Sequence, residues 1–152
     1  MKTVVIYRST HHGNTKKLLD AIAAAAGDEL VLTDAEKADG SELDGCTRVG
    51  LASGIYYGDF DKRVKQYAET LLPNGMPVFF LYTHGAPRGD FLKGMRAAVA
   101  ARGCPELGAY GCQGFDTFGP FRLLGGIAKG HPTPEEIEGA VRFYQALGRT
   151  AE

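Results

Sequence analysis

The chain has 152 residues, with 17 Lys and Arg against 18 Asp and Glu, a formal net charge of −1, and 44% hydrophobic residues. That balance excludes extended disorder, and it provides no basic field to attract nucleic acid or an anionic lipid surface. The length is that of a single domain, 1–152, with enough chain to bury a substantial core.

No apolar stretch approaches the roughly 20 residues that a bilayer span needs. The short apolar run after Lys2 cannot serve as the core of a signal peptide. Cys46, Cys104 and Cys112 form no C-x-x-C pattern. These features read as a cytoplasmic protein with free thiols.

Thr3–Tyr7 (TVVIY) is a continuous β-branched and aromatic run, read as a buried strand. The polar stretch RSTHHGNTKK follows from Arg8. A helix is then expected over Asn14–Ala26, with Leu18, Leu19, Ile22 and Ala26 on one side and Gly27 ending it. Glu29–Thr33 is a second strand, and Asp34–Cys46 a polar loop with a short helical turn. Arg48–Ser53 is a third strand, followed by SGIYYGD as a loop.

Phe60, Val64, Tyr67, Ala68 and Leu71 recur at helical spacing until Pro73, Asn74 and Gly75 break the pattern. Pro77–Thr83 (PVFFLYT) is the most apolar strand and is expected at the centre of the sheet, with HGAPRGD as its loop. Leu92, Met95 and Val99 mark a further helix that ends at Gly103 and Pro105, and Leu107–Cys112 is a fifth strand.

The next stretch, Gln113–Pro132, is long for a connection in a compact domain. Its phenylalanines and leucines suit a packed Ω-loop better than a solvated linker. Thr133, Pro134 and Glu136 then form a capping box with proline at the first helical position. Ile137, Val141, Tyr144 and Leu147 are the buried stripe of the last helix.

Strands alternating with helices imply a parallel sheet covered on both faces. In such folds ligands bind outside the carboxyl ends of the strands. Three unusual loops end there: Ser9–Thr15, Ser53–Tyr57 and Thr83–Gly85. The first leads into a helix N-terminus, where unpaired N–H groups and the positive end of the dipole suit an anion. One cap needs one polar residue, and this loop offers Ser9, Thr10, His11, His12, Asn14 and Thr15 around Gly13. It is neither a P-loop nor a dinucleotide fingerprint. Tyr56 and Tyr57, flanked by Gly54 and Gly58 beside Ile55, suit a planar ring ligand better than a core. Thr83, His84 and Gly85 bring backbone N–H groups toward the same place. No catalytic triad or metal-ligand spacing stands out, and the adjacent His11 and His12 would chelate poorly.

Taken together, the three loops resemble the flavodoxin family. Thr10, Gly13, Asn14 and Thr15 match that family's first loop, with His12 where a hydroxyl is usual and Ser9 in compensation. The resemblance implies a flavodoxin-like three-layer α/β/α sandwich with a five-stranded parallel sheet of order 2-1-3-4-5. It also implies non-covalent FMN binding and electron transfer. The first loop would wrap the FMN phosphate, while Ser53–Tyr57 and Thr83–Gly85 would flank the isoalloxazine ring. Asp116–Gly119 would approach the flavin edge, with Lys129 and His131 reaching a partner.

The implied partner is a redox protein or an NAD(P)H- or quinone-type substrate, and the implied state a monomer or weak dimer. The near-neutral charge and the absence of Trp depart from the family's electron carriers. Two alternatives therefore stay open. One is an FMN-dependent NAD(P)H oxidoreductase of quinone-reductase type. The other is a non-redox binding module that has lost the flavin.

Overall fold

The computed structural model describes residues 1–9, 13–27, 29–85, 89–114 and 130–150. Its elements run β1 (Lys2–Arg8), α1 (Asn14–Ala25), β2 (Glu29–Asp34), a 3-10 turn (Ser41–Leu43), β3 (Arg48–Tyr56) and β4 (Asp59–Phe60). They continue with α2 (Lys62–Thr70), β5 (Val78–His84), α3 (Lys93–Ala100), β6 (Glu106–Gln113) and α4 (Pro134–Thr150). The sheet order is β2-β1-β3-β5-β6, all parallel, with the two-residue β4 antiparallel to the end of β3. Without β4 this is the expected order 2-1-3-4-5.

The alternation along β5 sorts the helices into two layers. Phe80 packs with Val64, Tyr67 and Ala68 of α2 and with Met95 and Val99 of α3. Phe79 and Leu81 pack on the other face with Leu18, Leu19 and Ile22 of α1 and with Ala140, Tyr144 and Leu147 of α4. Phe79 and Phe80 are fully buried. Burial of each contributes about 1.5–3 kcal/mol.

Glycines make room for the aromatics. A Cβ on Gly50 would lie 2.5 Å from the ring of its cross-strand neighbour Phe79, and one on Gly111 would lie 2.2 Å from Tyr82. At the amino edge of the sheet, the buried Arg48 donates from Nε to the Thr3 hydroxyl at 2.8 Å and stacks 4.9 Å from the Tyr144 ring.

Two local expectations change. β3 does not stop at Ser53 but runs to Tyr56, then turns through Tyr57 (φ 52°) and Gly58 (φ 78°) into β4. Two consecutive positive φ angles are the signature of a tight type I′ hairpin, which follows the twist of its strands. Phe60 therefore belongs to this hairpin, although it is as buried as a helical reading required. Helix α2 begins after Asp61, whose carboxylate accepts the Arg63 N–H at 2.8 Å. Beyond α2, Leu72 is fully buried while Leu71 is 39% exposed, so the apolar stripe ends one residue later than expected. No helix among the described residues is long and apolar enough to cross a membrane.

Candidate functional site

At the carboxyl edge, the start of α1 carries no acid of its own. Its N-cap, Gly13, sits in the left-handed region at φ 63°, makes no side-chain cap, and is followed by no acidic residue in the first turn. Ser9 contributes from across the loop, its hydroxyl accepting the Lys16 N–H at 3.2 Å. Asn14 and Thr15 are buried, and the Thr15 hydroxyl shares a hydrogen bond of 2.9 Å with that of Thr83 on β5. That bond ties the first loop to the third.

Two described cations nearby have acidic partners: Arg8 pairs with Asp34 at 3.3 Å and Glu36 at 3.2 Å, and Lys16 pairs along its helix with Asp20 at 2.5 Å. The described residues that line the cleft include no lysine, arginine or carboxylate. Thr10, His11 and His12 lie outside the described residues.

A cleft gathers the ends of four strands. It is lined by Ser9, Asn14 and Thr15 from the first loop, Gly54, Ile55 and Tyr56 from β3, Thr83, His84 and Gly85 from β5, and Gly114 after β6. Tyr56 folds back on its own strand, so that a Cβ on Gly54 would lie 2.9 Å from the Tyr56 hydroxyl.

Two residues of the second loop stand elsewhere. Ser53 is an internal strut: its hydroxyl donates to the Gly54 carbonyl at 2.5 Å and accepts the Asp61 N–H at 2.9 Å. Tyr57 stands at the hairpin tip, 91% exposed and outside the lining.

Gly114 is the lining residue that sequence reasoning missed. Its N–H continues the ladder to the His84 carbonyl at 2.9 Å, and a Cβ there would lie 2.6 Å from the Asn14 amide nitrogen. A glycine directly after the fifth strand, at the edge where the other loops meet, was the available signal.

His84 pairs with Gln113 in register, and its ring packs 5.2 Å from Phe91 and 6.1 Å from Tyr82. Its Nδ1 is buried without a hydrogen-bond partner among the described residues. Burial holds the imidazole below its ordinary basicity, against an opposing pull from the Gly85 backbone and Glu136. Cys112 is an unreactive neighbour, its thiol pushed up to about 12 by burial and then by Glu136.

Glu136 organises the start of α4. Its carboxylate accepts the Thr133 N–H at 2.8 Å and the Gln113 N–H at 3.3 Å and meets His131 Nδ1 at 2.5 Å, while the Glu136 N–H donates to the Thr133 hydroxyl at 3.2 Å. This is the complete reciprocal capping box. Burial favours the protonated acid, but these hydrogen bonds outweigh it and hold the carboxyl below the usual range. His131 is thereby engaged within the fold. Asp116 and Lys129 lie outside the described residues.

The arrangement can bind an anion at the α1 amides and a flat group beside Tyr56 and His84. Among the described residues it assembles no nucleophile with a base. Among the described residues no group of three or more His, Cys, Asp or Glu could hold a metal ion.

Comparison with known proteins places this geometry. A family model described as a flavodoxin domain matches residues 4–98. An uncharacterized protein of Methanocaldococcus jannaschii is 30% identical over 149 residues, which cover 97% of this chain and 98% of that relative. Among solved structures, a flavodoxin from the domain Archaea is similar with a TM-score of 0.73 at 16% identity, over 99% of this chain and 98% of that one. General stress protein 14 of Treponema denticola, solved in complex with FMN, gives 0.67 at 14% identity over 98% of this chain and 99% of that one. The rubredoxin oxygen:oxidoreductase of Desulfovibrio gigas gives 0.72 at 16% identity, over 98% of this chain but 35% of that longer one. At these identities the solved structures speak to the fold alone.

Proposed function

The chain belongs to the flavodoxin family, and from that premise we propose that it binds FMN non-covalently in the cleft at the ends of β1, β3 and β5 and serves in electron transfer. The observation that carries the reading is the start of α1, an amide-rich helix end with no acid of its own, beside the hydroxyls of Ser9 and Thr15. A phosphate dianion fits such a set: the first-turn N–H groups and the dipole favour negative charge without a lysine or arginine. Thr10, His11 and His12 belong to the same binding set by their place in the sequence. The buried, unpartnered Nδ1 of His84 is a polar atom that fits a cofactor rich in hydrogen-bonding groups. The Treponema denticola protein, of the same fold, supports FMN as the flavin.

The flavin supplies the redox chemistry when bound, and the protein supplies binding, orientation and electrostatics. Asn14 and Thr15 hold the phosphate end, and the Thr15–Thr83 hydrogen bond fixes that end relative to β5. Ile55, Tyr56 and His84 flank the ring and keep water from it. Gly54, Gly85 and Gly114 let the backbone approach. The partner in this reading is a redox protein.

Titration of the flavin-free protein with FMN, followed by fluorescence quenching and the visible spectrum, tests the proposal. Binding at or below micromolar concentration with a shifted spectrum is expected; no binding at micromolar FMN overturns it. Anaerobic addition of NADPH to the loaded protein then separates a carrier, whose flavin stays oxidised, from a direct NAD(P)H oxidoreductase, whose flavin bleaches rapidly.

A further inference from the structure

Of the described residues that line the cleft, only Tyr56 and His84 titrate, and only His84 can become a cation. Electrons delivered to a ring in this cleft leave negative charge beside a wall otherwise made of glycines, hydroxyls, an amide and an isoleucine. We propose that His84 takes up one proton when the bound flavin is reduced, so that a neutral imidazole borders the oxidised cofactor and an imidazolium borders the reduced one. This inference rests on the FMN-binding reading above.

The surroundings of the ring suit that role. Phe91 and Tyr82 pack against it and offer no charge, and Nδ1 has no hydrogen-bond partner among the described residues. A proton added in the oxidised state therefore meets burial without a counter-charge in contact. The groups that face His84 from neighbouring elements are few. Glu136 at the start of α4 attracts a proton, but its carboxylate is already engaged by Thr133, Gln113 and His131. Cys112 on β6 stays a neutral thiol, with its titration pushed up to about 12. Asp90, before α3, acts on Tyr82 and caps the Leu92 N–H at 3.2 Å. Burial leaves His84 less basic than usual, against the pull of the Gly85 backbone and Glu136, and a new negative charge in the cleft is the attraction that reverses the balance.

The step balances simply. A reductant, dithionite in the test, transfers two electrons to the flavin, which takes up one proton of its own from buffer acid and keeps one net negative charge. A second proton passes from buffer acid to a ring nitrogen of His84, where an N–H bond forms. No bond between protein and cofactor forms or breaks.

The test follows the His84 ring protons by NMR across pH in the FMN-loaded native chain, oxidised and then fully reduced. The signal is assigned by its loss in His84→Gln. The expected result is an apparent pKa raised by at least about one unit on reduction, which is a tenfold or greater gain in proton affinity. The two-electron midpoint potential should also carry an extra slope of about 30 mV per pH unit between the two values. His84→Gln should lose that slope, and His131→Gln, at a histidine held by Glu136 outside the cleft lining, should keep it. Equal His84 titration in both redox states overturns the proposal, as does an unchanged slope in His84→Gln. Failure of FMN to bind the native chain is read separately, by fluorescence, and overturns the underlying FMN reading.

Discussion

Helices α1 and α4 pack on the same face of the sheet and both begin at its carboxyl edge, yet their N-termini are finished in opposite ways. Helix α4 carries its own anion: Glu136 answers the N–H groups of Thr133 and Gln113, and Glu135 adds a second acid in the first turn. Helix α1 has a left-handed glycine for a cap, no acid in its first turn, and one neutral hydroxyl at its third amide. The same dipole and the same orphan N–H groups exist in both. Where the chain satisfies them internally, the helix end is structural. Where the first turn has no acid and borders a cleft, the helix end suits a charge from outside.

The sharpest way to break this comparison is to give α1 an anion of its own. Ser9→Asp places a carboxylate where the hydroxyl now accepts the Lys16 N–H. Like charge against a phosphate a few ångströms away should weaken FMN binding by about 100-fold or more. The stability of the flavin-free protein should hold or rise by up to about 1 kcal/mol. Fluorescence titration and urea unfolding read the two effects, and an unchanged FMN affinity would place the phosphate elsewhere.

The converse experiment removes the anion of α4. Glu136→Ala leaves the Thr133 and Gln113 N–H groups without their acceptor and should cost about 2 kcal/mol in urea unfolding. A loss below about 0.5 kcal/mol would show that the cap contributes little.

Acid gives a milder version of the same change. The folded Glu136 carboxyl titrates below its ordinary value. Its contribution is therefore fully present above the unfolded pKa, near 4.3, and is lost as the pH falls through the lower folded value. Stability measured from pH 5 downward should fall less steeply in Glu136→Gln than in the native chain.

The smallest expected effect lies at the hairpin. Tyr57→Asn puts a residue tolerant of positive φ at a fully exposed tip, and should stabilise by about 0.5 kcal/mol while leaving FMN affinity within about twofold. A large loss of affinity would return Tyr57 to the ring-binding set.

Most of the architecture was legible because its signals are local. β-branched runs, the Thr133 capping box and the breaks at Gly27 and Gly103 each act within a few residues. The expectation for the first loop rests on a local signal too, a row of polar residues around Gly13, of which the cleft lining includes Ser9, Asn14 and Thr15. What escaped was set by how side chains pack and not by local composition. Gly54 reads as a strand breaker, yet β3 continues through it because Tyr56 lies over the bare backbone. Ser53 reads as a ligand donor, but Asp61 at the start of α2 engages its hydroxyl. Gly114 enters the cleft only because β6 ends beside Asn14. His84 reads as one polar residue among several, and its distinction, a buried Nδ1 without a hydrogen-bond partner among the described residues, exists only in three dimensions.

Glu136 has one more consequence. Gln113 is the last residue of β6 and His131 lies just before α4, and the same carboxylate holds both. One side chain is thus a shared fastening for the edge strand and the last helix, and a change that loosens it loosens both at once.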